Sequence, residues 1–342
     1  MTLDEATALS LIPDLSRLNL GARLRDGDPT LLEHAGRLSD HARVVRTRAA
    51  DAGIHVLPWN DPRFPAPLLA IPDFPPALWY RGTLDALQAP AVAIVGSRAA
   101  SAVALQTATR FGEDLAAMGV TVISGLARGV DSAAHRGALR AGRTIAVLGS
   151  GIDCVYPPEH ERLAMEIAAA GLVVSEYPPG TAPLAFHFPQ RNRLISGMSS
   201  AVVVIEAHEQ SGSLITASCA LEQGRDVMAV PGNVLSGCSR GAHALIRDGA
   251  KIVESADDIV VELGWSPGRG AAGPMQGSPV QPGLTGSGDP LVRLMQAGQA
   301  YDLDGLADAT GVDGVRLLPR LLALELAGLV HRVAGGRFIR PI

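Results

Sequence analysis

The chain has 342 residues, of which 47% are hydrophobic and 18% are charged. This composition excludes an intrinsically disordered protein, and the length leaves room for one large domain with appendages or for two or three domains. The formal net charge of −5 is not that of a protein coated in nucleic acid. It still allows a local basic patch, because the field in a concave site depends on the nearest charges.

The N-terminus, the hydrophobic runs and the cysteines indicate a cytoplasmic protein. No apolar run approaches the roughly 18 residues of a membrane helix, and Asp4 and Glu5 are unlike the basic start of a signal peptide. Cys154, Cys219 and Cys238 have neither metal-binding nor disulfide spacing. We therefore expect reduced thiols, no membrane contact, no metal site and no bound cofactor.

Lysine is nearly absent from this chain. Lys251 is its only lysine, so nearly every cation is an arginine. Any phosphate recognition must therefore depend on guanidinium groups and on backbone N–H groups.

The first part of the chain has two different patterns. Residues 1–52 carry apolar side chains at roughly helical spacing, such as Leu9, Ile12 and Leu15, and we expect a small helical module. From Gly53 to Leu87 the chain is rich in proline and aromatic residues. This pattern predicts an irregular connector packed against the following domain.

From Ala91 to Leu263, short apolar runs alternate with longer amphipathic stretches, which is typical of βαβ units. Because the runs lack polar alternation, we expect strands covered on both faces, in a parallel, doubly wound α/β sheet. We assign residues 53–264 to this Rossmann-like domain, with its core at 90–264. The predicted strands are 92–95, 120–123, 144–148, 172–174, 201–205 and 227–230.

The C-terminal part predicts a linker followed by a small domain. Residues 265–288 are rich in Gly, Pro, Ser and Gln, as in flexible linkers. Residues 289–342 predict a winged helix, with helices at 290–296, 303–310 and 315–327 and a hairpin at 330–340. Six arginines are matched there by six acids, and we expect a protein-contact or packing role, since duplex-binding winged helices have a basic face.

Ligands of doubly wound sheets bind where the carboxyl ends of strands lead into helices. The first such loop is Gly96-Ser97-Arg98. Gly96 permits a tight turn, Ser97 can bond an anion or cap a helix, and Arg98 can fork onto a phosphate. An ordinary cap beside a surface arginine explains the same residues. The GxGxxG pattern of a dinucleotide site is missing.

The second loop runs from Ser124 to Asp131 and holds Gly125 and Arg128. Backbone N–H groups of Ser124 and Gly125 can bind an anion. Asp131 is better explained as the N-cap of a helix over 131–141 than as an acid catalyst.

The third segment, 177–205, contains no Asp or Glu, so its field is expected to be positive. It includes a predicted loop over 188–193, with Phe188, Arg191, Asn192 and Arg193. Aromatic rings that stack on bases and guanidinium groups that hold phosphates are the recurring pair at single-strand sites. The alternative places the ring in the core and the arginines on a solvated face, and the missing acids count against it.

The fourth loop is Ser211-Gly212-Ser213, at the start of a predicted helix. A Ser/Gly turn there forms an anion site from free N–H groups and the helix dipole. No lysine follows, so the turn is not a Walker A loop. Glu206 and Glu209 are candidate catalytic carboxylates, although structural or capping roles are at least as well supported.

In this order, the motifs resemble the DprA/Smf family. The most specific are FPxRNR at 188–193 and SGSLxTA at 211–217, and the segments 93–98, 124–135, 220–225 and 231–233 continue the match. The resemblance implies an extended Rossmann domain, a SAM-like helical N-terminus and a winged-helix C-terminus.

The resemblance also implies a function. Members bind single-stranded DNA in a positive pocket, form homodimers, and act as recombination mediators that protect incoming DNA in natural transformation and load the RecA recombinase. Single-strand-binding protein is a further candidate partner. By position, the expected DNA contacts are Gly96, Ser97, Arg98, Ser124, Gly125, Arg128, Phe188, Arg191, Asn192, Arg193, Ser211, Gly212 and Ser213.

The chain departs from the family pattern at Ala185, where several members have a lysine. Either Arg128 or another arginine compensates, or affinity is lower. The alternative function is an enzyme, a nucleotide-phosphate hydrolase resembling the lysine-decarboxylase-like fold. Residues 211–214 replace the PGGxGT run of that fold, which favours binding over hydrolysis. A third hypothesis, a structural partner-binding module, is weakened by the acid-free segment.

Overall fold

The computed structural model describes residues 1–12, 15 and 19–265, and beyond these residues 291, 294–295, 299–310, 312, 317, 319–321, 324–325, 329–333 and 337–340. The chain forms two compact units, Met1–Pro274 and Met275–Ile342. None of the helices in the described ranges is both long and apolar enough to cross a lipid bilayer. The linker predicted over 265–288 lies outside these ranges, apart from Trp265.

One mixed sheet organises the first unit. Its strands within the described residues are β1 (His55–Pro58), β2 (Ala77–Gly82), β3 (Ala91–Val95), β4 (Thr121–Ser124), β5 (Thr144–Leu148), β6 (Leu172–Ser175), β7 (Ala201–Val204), β8 (Asp226–Ala229) and β9 (Lys251–Ile252). The order is β1-β2-β6-β5-β4-β3-β7-β8-β9. Every apolar run predicted as a strand is a strand, which confirms the α/β class and the doubly wound sheet.

The predicted irregular connector is wrong in part, because it contributes two strands. β1 pairs antiparallel with β2, and β2 pairs antiparallel with β6, where Tyr80 stands opposite Val174. Leu57, Leu78 and Trp79 are buried. Burial against the rest of the unit stabilises these short strands. The prolines around them are typical of loops, so the local sequence alone predicts no strand here.

Helices cover the sheet. Within the described residues of the first unit they are α1 (Leu3–Ser10), α2 (Leu20–Arg25), α3 (Pro29–Asp51), α4 (Ala66–Leu69), α5 (Ala102–Ala117), α6 (Val130–Ala141), α7 (Glu161–Ala170), α8 (His187–Gly197), α9 (Gly212–Glu222), α10 (Arg240–Arg247) and α11 (Ala256–Glu262).

Helices α1 to α3 confirm the helical prediction for residues 1–52. Thr2 and Glu5 form a capping box at the start of α1, and Asp28 caps α3 by accepting from the N–H of Thr30. Leu9 and Leu20 are buried in the same apolar cluster as residues of the sheet. The SAM-like fold and the domain boundary after residue 52 stay predictions.

The two faces of β3 show why the apolar runs are uninterrupted. Ala93 and Val95 belong to one buried cluster, and Val92 and Ile94 belong to another. Successive side chains of a strand point to opposite faces, so a strand covered on both faces needs apolar residues at every position.

A crevice forms between β3 and β7, which are parallel neighbours. Phe111 of α5, the helix after β3, packs in the cluster of Val92 and Ile94. Ala217 of α9, the helix after β7, packs in the cluster on the opposite face. Because the two helices cover opposite faces, the loops that lead into them separate at the carboxyl ends of the strands.

The second unit contains a small antiparallel sheet. Its described elements are β10 (Ala300–Tyr301), α12 (Leu303–Thr310), β11 (His331–Val333) and β12 (Arg337–Ile339). The helix predicted over 303–310 and the pairing predicted in the hairpin are confirmed, and β10, which adds a third strand beside β12, was not predicted. The helices predicted over 290–296 and 315–327 lie partly outside the described residues, and the winged helix stays a prediction.

Candidate nucleic-acid interface

A cavity of about 410 Å³ opens at the crevice between β3 and β7. Nine of the thirteen predicted contact residues line it: Gly96, Ser97, Arg98, Phe188, Arg191, Asn192, Ser211, Gly212 and Ser213. The other four, Ser124, Gly125, Arg128 and Arg193, lie outside it. We call this space the switch-point cavity, after its place in the sheet.

The loop after β3 forms one wall of the switch-point cavity. A Cβ on Gly96 would stand 2.6 Å from Cγ2 of Val130 and 2.9 Å from the carbonyl oxygen of Glu206, so a glycine is required for this close approach. The N–H of Ser97 donates to that carbonyl (2.7 Å), and the N–H of Val130 donates to the carbonyl of Ser97 (3.2 Å). The three loops at this edge are therefore held together by backbone contacts.

Arg98 is exposed at the mouth of the switch-point cavity. Its Cζ lies 5.8 Å from the ring centroid of Phe188, a cation–π contact. No carboxylate among the described residues pairs with it. Its positive charge is thus available to a ligand.

The predicted loop over 188–193 is instead the first two turns of α8. Pro189 is the third residue of the helix, where the backbone N–H has no intrahelical acceptor, so proline is tolerated. A helix turns once in about 3.6 residues, so side chains two positions apart point to opposite sides. Arg191 faces the switch-point cavity, and Arg193 faces away from it.

Arg191 is buried beneath the switch-point cavity, with 4% of its surface exposed. Its Nη1 donates to the carbonyl oxygen of Gly125 (2.8 Å), just after β4, and to that of Val147 in β5. Its Nε has no hydrogen-bond partner among the residues that the structure describes. Burial lowers the pKa of Arg191 to about 10, while the negative charge of Asp131 opposes that shift. Arg191 therefore ties α8 to two strand ends and also carries charge into the cavity wall.

The sequence predicts Asp131 as the N-cap of its helix, and this prediction is wrong. Helix α6 starts at Val130, and its N-cap is Gly129. Oδ2 of Asp131 accepts from the N–H of Gly125 (3.1 Å) and from that of Ala127 (3.3 Å). Burial raises the pKa of Asp131, against the effect of the Arg191 charge. The Gly125 N–H predicted to bind an anion is thus already bonded to this carboxylate.

Ser124 and Arg128 also differ from their predicted roles. Ser124 is fully buried, and its hydroxyl donates to the carbonyl of Ile94 (2.6 Å), which joins β4 to β3. Arg128 is exposed and pairs with Glu159, with 2.5 Å between Nε and Oε1. The hydrogen bond from Arg128 lowers the pKa of Glu159. Arg128 does not line the switch-point cavity, so compensation for Ala185 by Arg128 is not seen there.

Arg193 is neutralised on the far side of α8. It pairs with Oδ2 of Asp73 through Nε (2.8 Å) and with Oε2 of Glu176 through Nη2 (2.6 Å). Both Arg193 and Glu176 are buried. Although the segment 177–205 contains no acid, Arg193 is paired with two carboxylates from outside it. Arg193 therefore holds α8 against the residues around Asp73 and Glu176.

The start of α9 forms the opposite wall of the switch-point cavity. Ser211 is its N-cap and accepts from the N–H of Ser213 (3.4 Å), and the two hydroxyl groups are 2.7 Å apart. Nδ2 of Asn192 donates to the carbonyl oxygen of Gly212 (3.3 Å), which fixes α8 against this turn. The positive end of the helix dipole therefore points towards the cavity.

Sequence reasoning missed several lining residues. His208 and Gln210, in the loop between β7 and α9, line the switch-point cavity, as does the buried Thr216 on the second turn of α9. The position of the loop after a strand end is the signal for the first two. Thr216 would follow from the helical spacing, since residues three positions apart share a face.

The candidate catalytic carboxylate Glu206 has a structural role. Its Oε1 accepts from the N–H of Ser101 (3.0 Å) and its Oε2 from the hydroxyl of Ser101 (2.7 Å), at the N-terminus of α5. In the described part of the chain, no group of three or more His, Cys, Asp and Glu side chains is placed to hold a metal ion.

Comparison with known proteins agrees with this geometry. The sequence model of the family DNA recombination-mediator protein A matches residues 55–264. Protein Smf from Escherichia coli (strain K12) is 41% identical over 290 residues, which are 82% of this chain and 76% of that protein.

Two solved structures are also similar. DNA processing protein A (DprA) from Streptococcus pneumoniae is 36% identical, with a TM-score of 0.68 over 77% of this chain and 98% of that chain. DNA processing protein A from Helicobacter pylori, studied for its single-stranded DNA binding mode, is 28% identical, with a TM-score of 0.57 over 61% of this chain and 95% of that chain.

The range that matches the family starts at β1 and ends just after α11, and so it contains every loop that lines the switch-point cavity. It covers more than half of the sequence, and the relative from E. coli extends the similarity over most of the rest. The chain therefore belongs to the DNA recombination-mediator protein A family, whose members are also named DprA or Smf.

Proposed function

We propose that the protein binds single-stranded DNA in the switch-point cavity and acts as a non-enzymatic recombination mediator in natural transformation. One observation carries this proposal. A surface arginine with no carboxylate partner among the described residues, Arg98, an aromatic ring, Phe188, and the N-terminus of α9 meet at one cavity. These are the groups that hold a phosphate, a base and a second phosphate.

The charges of the switch-point cavity support an anionic ligand. Asp131 is the only carboxylate in its lining, which consists wholly of described residues. The positive charge of Arg191 lies close to Asp131 and opposes it, because Nη2 of Arg191 and Oδ2 of Asp131 both lie beside Gly125, 2.6 Å and 2.8 Å from where its Cβ would stand. Arg98 therefore leaves a local excess of positive charge in a protein of formal net charge −5.

The shape supports a single strand over a duplex. A base can reach Phe188 only if it is unstacked and unpaired, because paired bases present their edges, not their faces, to a protein. The relative from Helicobacter pylori has a described single-stranded DNA binding mode. That similarity supports the same ligand class for this chain.

The partners of the protein follow from the same proposal. We propose that the protein protects the bound strand and passes it to the RecA recombinase, with single-strand-binding protein as a candidate for the same encounter. We propose a homodimer as the active form. The cytoplasm is the compartment in which this exchange takes place, and the three free cysteines are consistent with a reducing compartment.

A non-enzymatic role fits Glu206 better than the hydrolase alternative. That alternative needs a carboxylate that can act on a substrate. Both oxygens of Glu206 are instead hydrogen-bonded to Ser101. We therefore propose that Glu206 stabilises the start of α5.

A titration with single-stranded and double-stranded DNA of equal length, each at two salt concentrations, tests the proposal. The single strand should bind more tightly. Arg98→Ala should weaken its binding and lower the slope of log K against log[salt] by about 0.7 for one lost phosphate contact. Arg143→Ala is a matched control. Arg143 is exposed just before β5, at the amino ends of the strands, whereas the cavity lies at their carboxyl ends. Equal binding of both DNA forms, or equal effects of the two substitutions, would show that the site is wrong.

A further inference from the structure

A shallow depression of about 30 Å³ lies beside the switch-point cavity, on the far side of Phe188. Arg98, Phe188 and Arg191 line both spaces, so the two are adjacent. Tyr156 and Arg128 line only the depression. Neither residue is explained by binding in the switch-point cavity alone.

Tyr156 presents an aromatic surface to solvent in this depression. It is 41% exposed, which is high for so large a ring. Its ring centroid is 5.4 Å from that of Phe188, with an angle of 47° between the planes. This tilted pair leaves part of the Tyr156 ring uncovered, and it places that ring directly beyond the wall of the cavity.

Arginines stand on both sides of the aromatic pair. Arg98 lies over the Phe188 ring at 5.8 Å. Arg128, whose side chain is 57% exposed, lies on the Tyr156 side and pairs with Glu159. Two arginines that flank a pair of aromatic rings provide the groups that single-strand sites combine, guanidinium groups for phosphates and rings for bases.

The topology places these groups along one edge. The loops after β3, β4 and β5 hold Arg98, Arg128 and Tyr156 in that order. Neighbouring strands are about 4.8 Å apart, so the loops after β3 and β5 are separated by roughly 10 Å. A DNA strand that leaves the switch-point cavity along the carboxyl ends of these strands, towards β5, would pass Phe188 and reach Tyr156.

We propose that Tyr156 is a second base-stacking site, which holds the base next to the nucleotide bound in the switch-point cavity. The path runs from the cavity over Arg98 and Phe188 onto the Tyr156 ring. This inference rests on the proposed function, because it needs a single strand in the cavity. It adds a nucleobase subsite and a direction for the strand.

The test compares Tyr156→Ala, Tyr156→Leu and Tyr156→Phe with the original protein, by titration with oligothymidylates. Loss of one base–aromatic stack should weaken binding of a long oligonucleotide by about fivefold to a hundredfold. The salt slope should stay unchanged, because no phosphate contact is removed. Tyr156→Phe should bind normally. Tyr156→Leu, which can still pack against Phe188, should bind as weakly as Tyr156→Ala.

A second readout locates the base. 2-Aminopurine is placed at successive positions of the oligonucleotide. In the Tyr156→Ala variant, the quenching of its fluorescence should be lost at a single position. Normal binding by Tyr156→Leu would show that the ring serves packing alone and would overturn the inference. Arg98→Ala separates the two proposals: if it abolishes binding while Tyr156→Ala does not change it, the switch-point cavity stands and the second site falls. If neither variant changes binding, both proposals fail.

Discussion

The guanidinium group of Arg191 and the carboxylate of Asp131 both lie beside Gly125. A Cβ on Gly125 would stand 2.6 Å from Nη2 of Arg191 and 2.8 Å from Oδ2 of Asp131. Both side chains are buried, with 4% and 7% of their surface exposed. The absence of a side chain at residue 125 thus allows a positive and a negative group to neutralise each other under the wall of the switch-point cavity.

Gly125→Ala should destabilise the protein. The new methyl group would displace two buried, hydrogen-bonded groups, and overpacking of this kind costs about 1–3 kcal/mol. Urea unfolding measures the loss as a lower midpoint. Gly36→Ala is the control, because Gly36 lies within α3 and its Cβ would have nothing within 4 Å. That variant should be more stable by about 0.5–1 kcal/mol, since alanine favours a helix. Equal stability of the two variants would contradict the packing at Gly125.

Arg193→Met should lower stability strongly without a change in the salt slope of DNA binding. The substitution removes the arginine that pairs with Glu176 and Asp73, and breaking a buried ion pair in this way costs about 3–5 kcal/mol. The double variant Arg193→Gln with Glu176→Gln removes both charges and should recover part of the loss. Thermal unfolding measures stability, and a DNA titration at several salt concentrations measures the slope. A lower slope in the double variant would show that Arg193 contacts phosphate.

Glu159→Gln should strengthen single-strand binding. It removes a negative charge near Tyr156 and frees Arg128, now bonded to Glu159 at 2.5 Å. One added phosphate contact would steepen the salt slope by about 0.7. Glu113→Gln makes the same charge change in an ion pair of similar exposure with Arg140 (3.0 Å) and should leave the slope unchanged. The same slope in both variants would exclude Arg128 from the DNA path.

His135 should make the fold sensitive to acid. It is fully buried, and burial, with the charges of His160, Arg191 and Arg136, lowers its pKa to about 3. Thr144 donates its hydroxyl to the carbonyl of Val122, so Nδ1–H of His135 must donate to Thr144. Nε2 then carries no proton in the folded state. Taking up a proton there is costly, because Nε2 is buried with no hydrogen-bond partner in the described part of the chain.

The sign of the pH effect follows from this depressed pKa. An unfolded histidine titrates near 6.5, so between pH 6.5 and about 3 the unfolded chain binds a proton that the folded chain does not. The free energy of unfolding therefore falls as the pH falls through this window, by about 2 kcal/mol between pH 7 and pH 5 from this group. Urea unfolding of His135→Asn should show a smaller fall, whereas His34→Asn, on the exposed surface of α3, should not. An unchanged pH dependence in His135→Asn would contradict the prediction.

Much of the cavity could be predicted from sequence. Gly96-Ser97-Arg98 and Ser211-Gly212-Ser213 each follow an apolar run and precede an amphipathic stretch, and such transitions are local features. The sheet rule then places both loops at one edge. The structure adds that Asn192 bonds the α9 turn and that Phe188 lies against Arg98.

The fate of each arginine could not be predicted. The absence of acids from residues 177–205 describes only neighbours in sequence. Arg193 pairs with Asp73, which is far away along the chain, and with Glu176, which lies one residue before that segment. The prediction of a loop over 188–193 was wrong because of Pro189. Pro189 looks like a helix breaker by propensity, but it is acceptable within the first turn.

The sequence by itself determined the six strands β3 to β8 and the loops after β3, β4 and β7 that carry candidate contacts, because hydrophobic periodicity and Gly/Ser turns act over a few residues. Only the tertiary structure decided which charges remain available. It leaves Arg98 unpaired among the described residues, buries Arg191 beside Asp131, and pairs Arg128 with Glu159 and Arg193 with Asp73 and Glu176. Electrostatic pairing depends on distance through space, and the fold alone sets that distance.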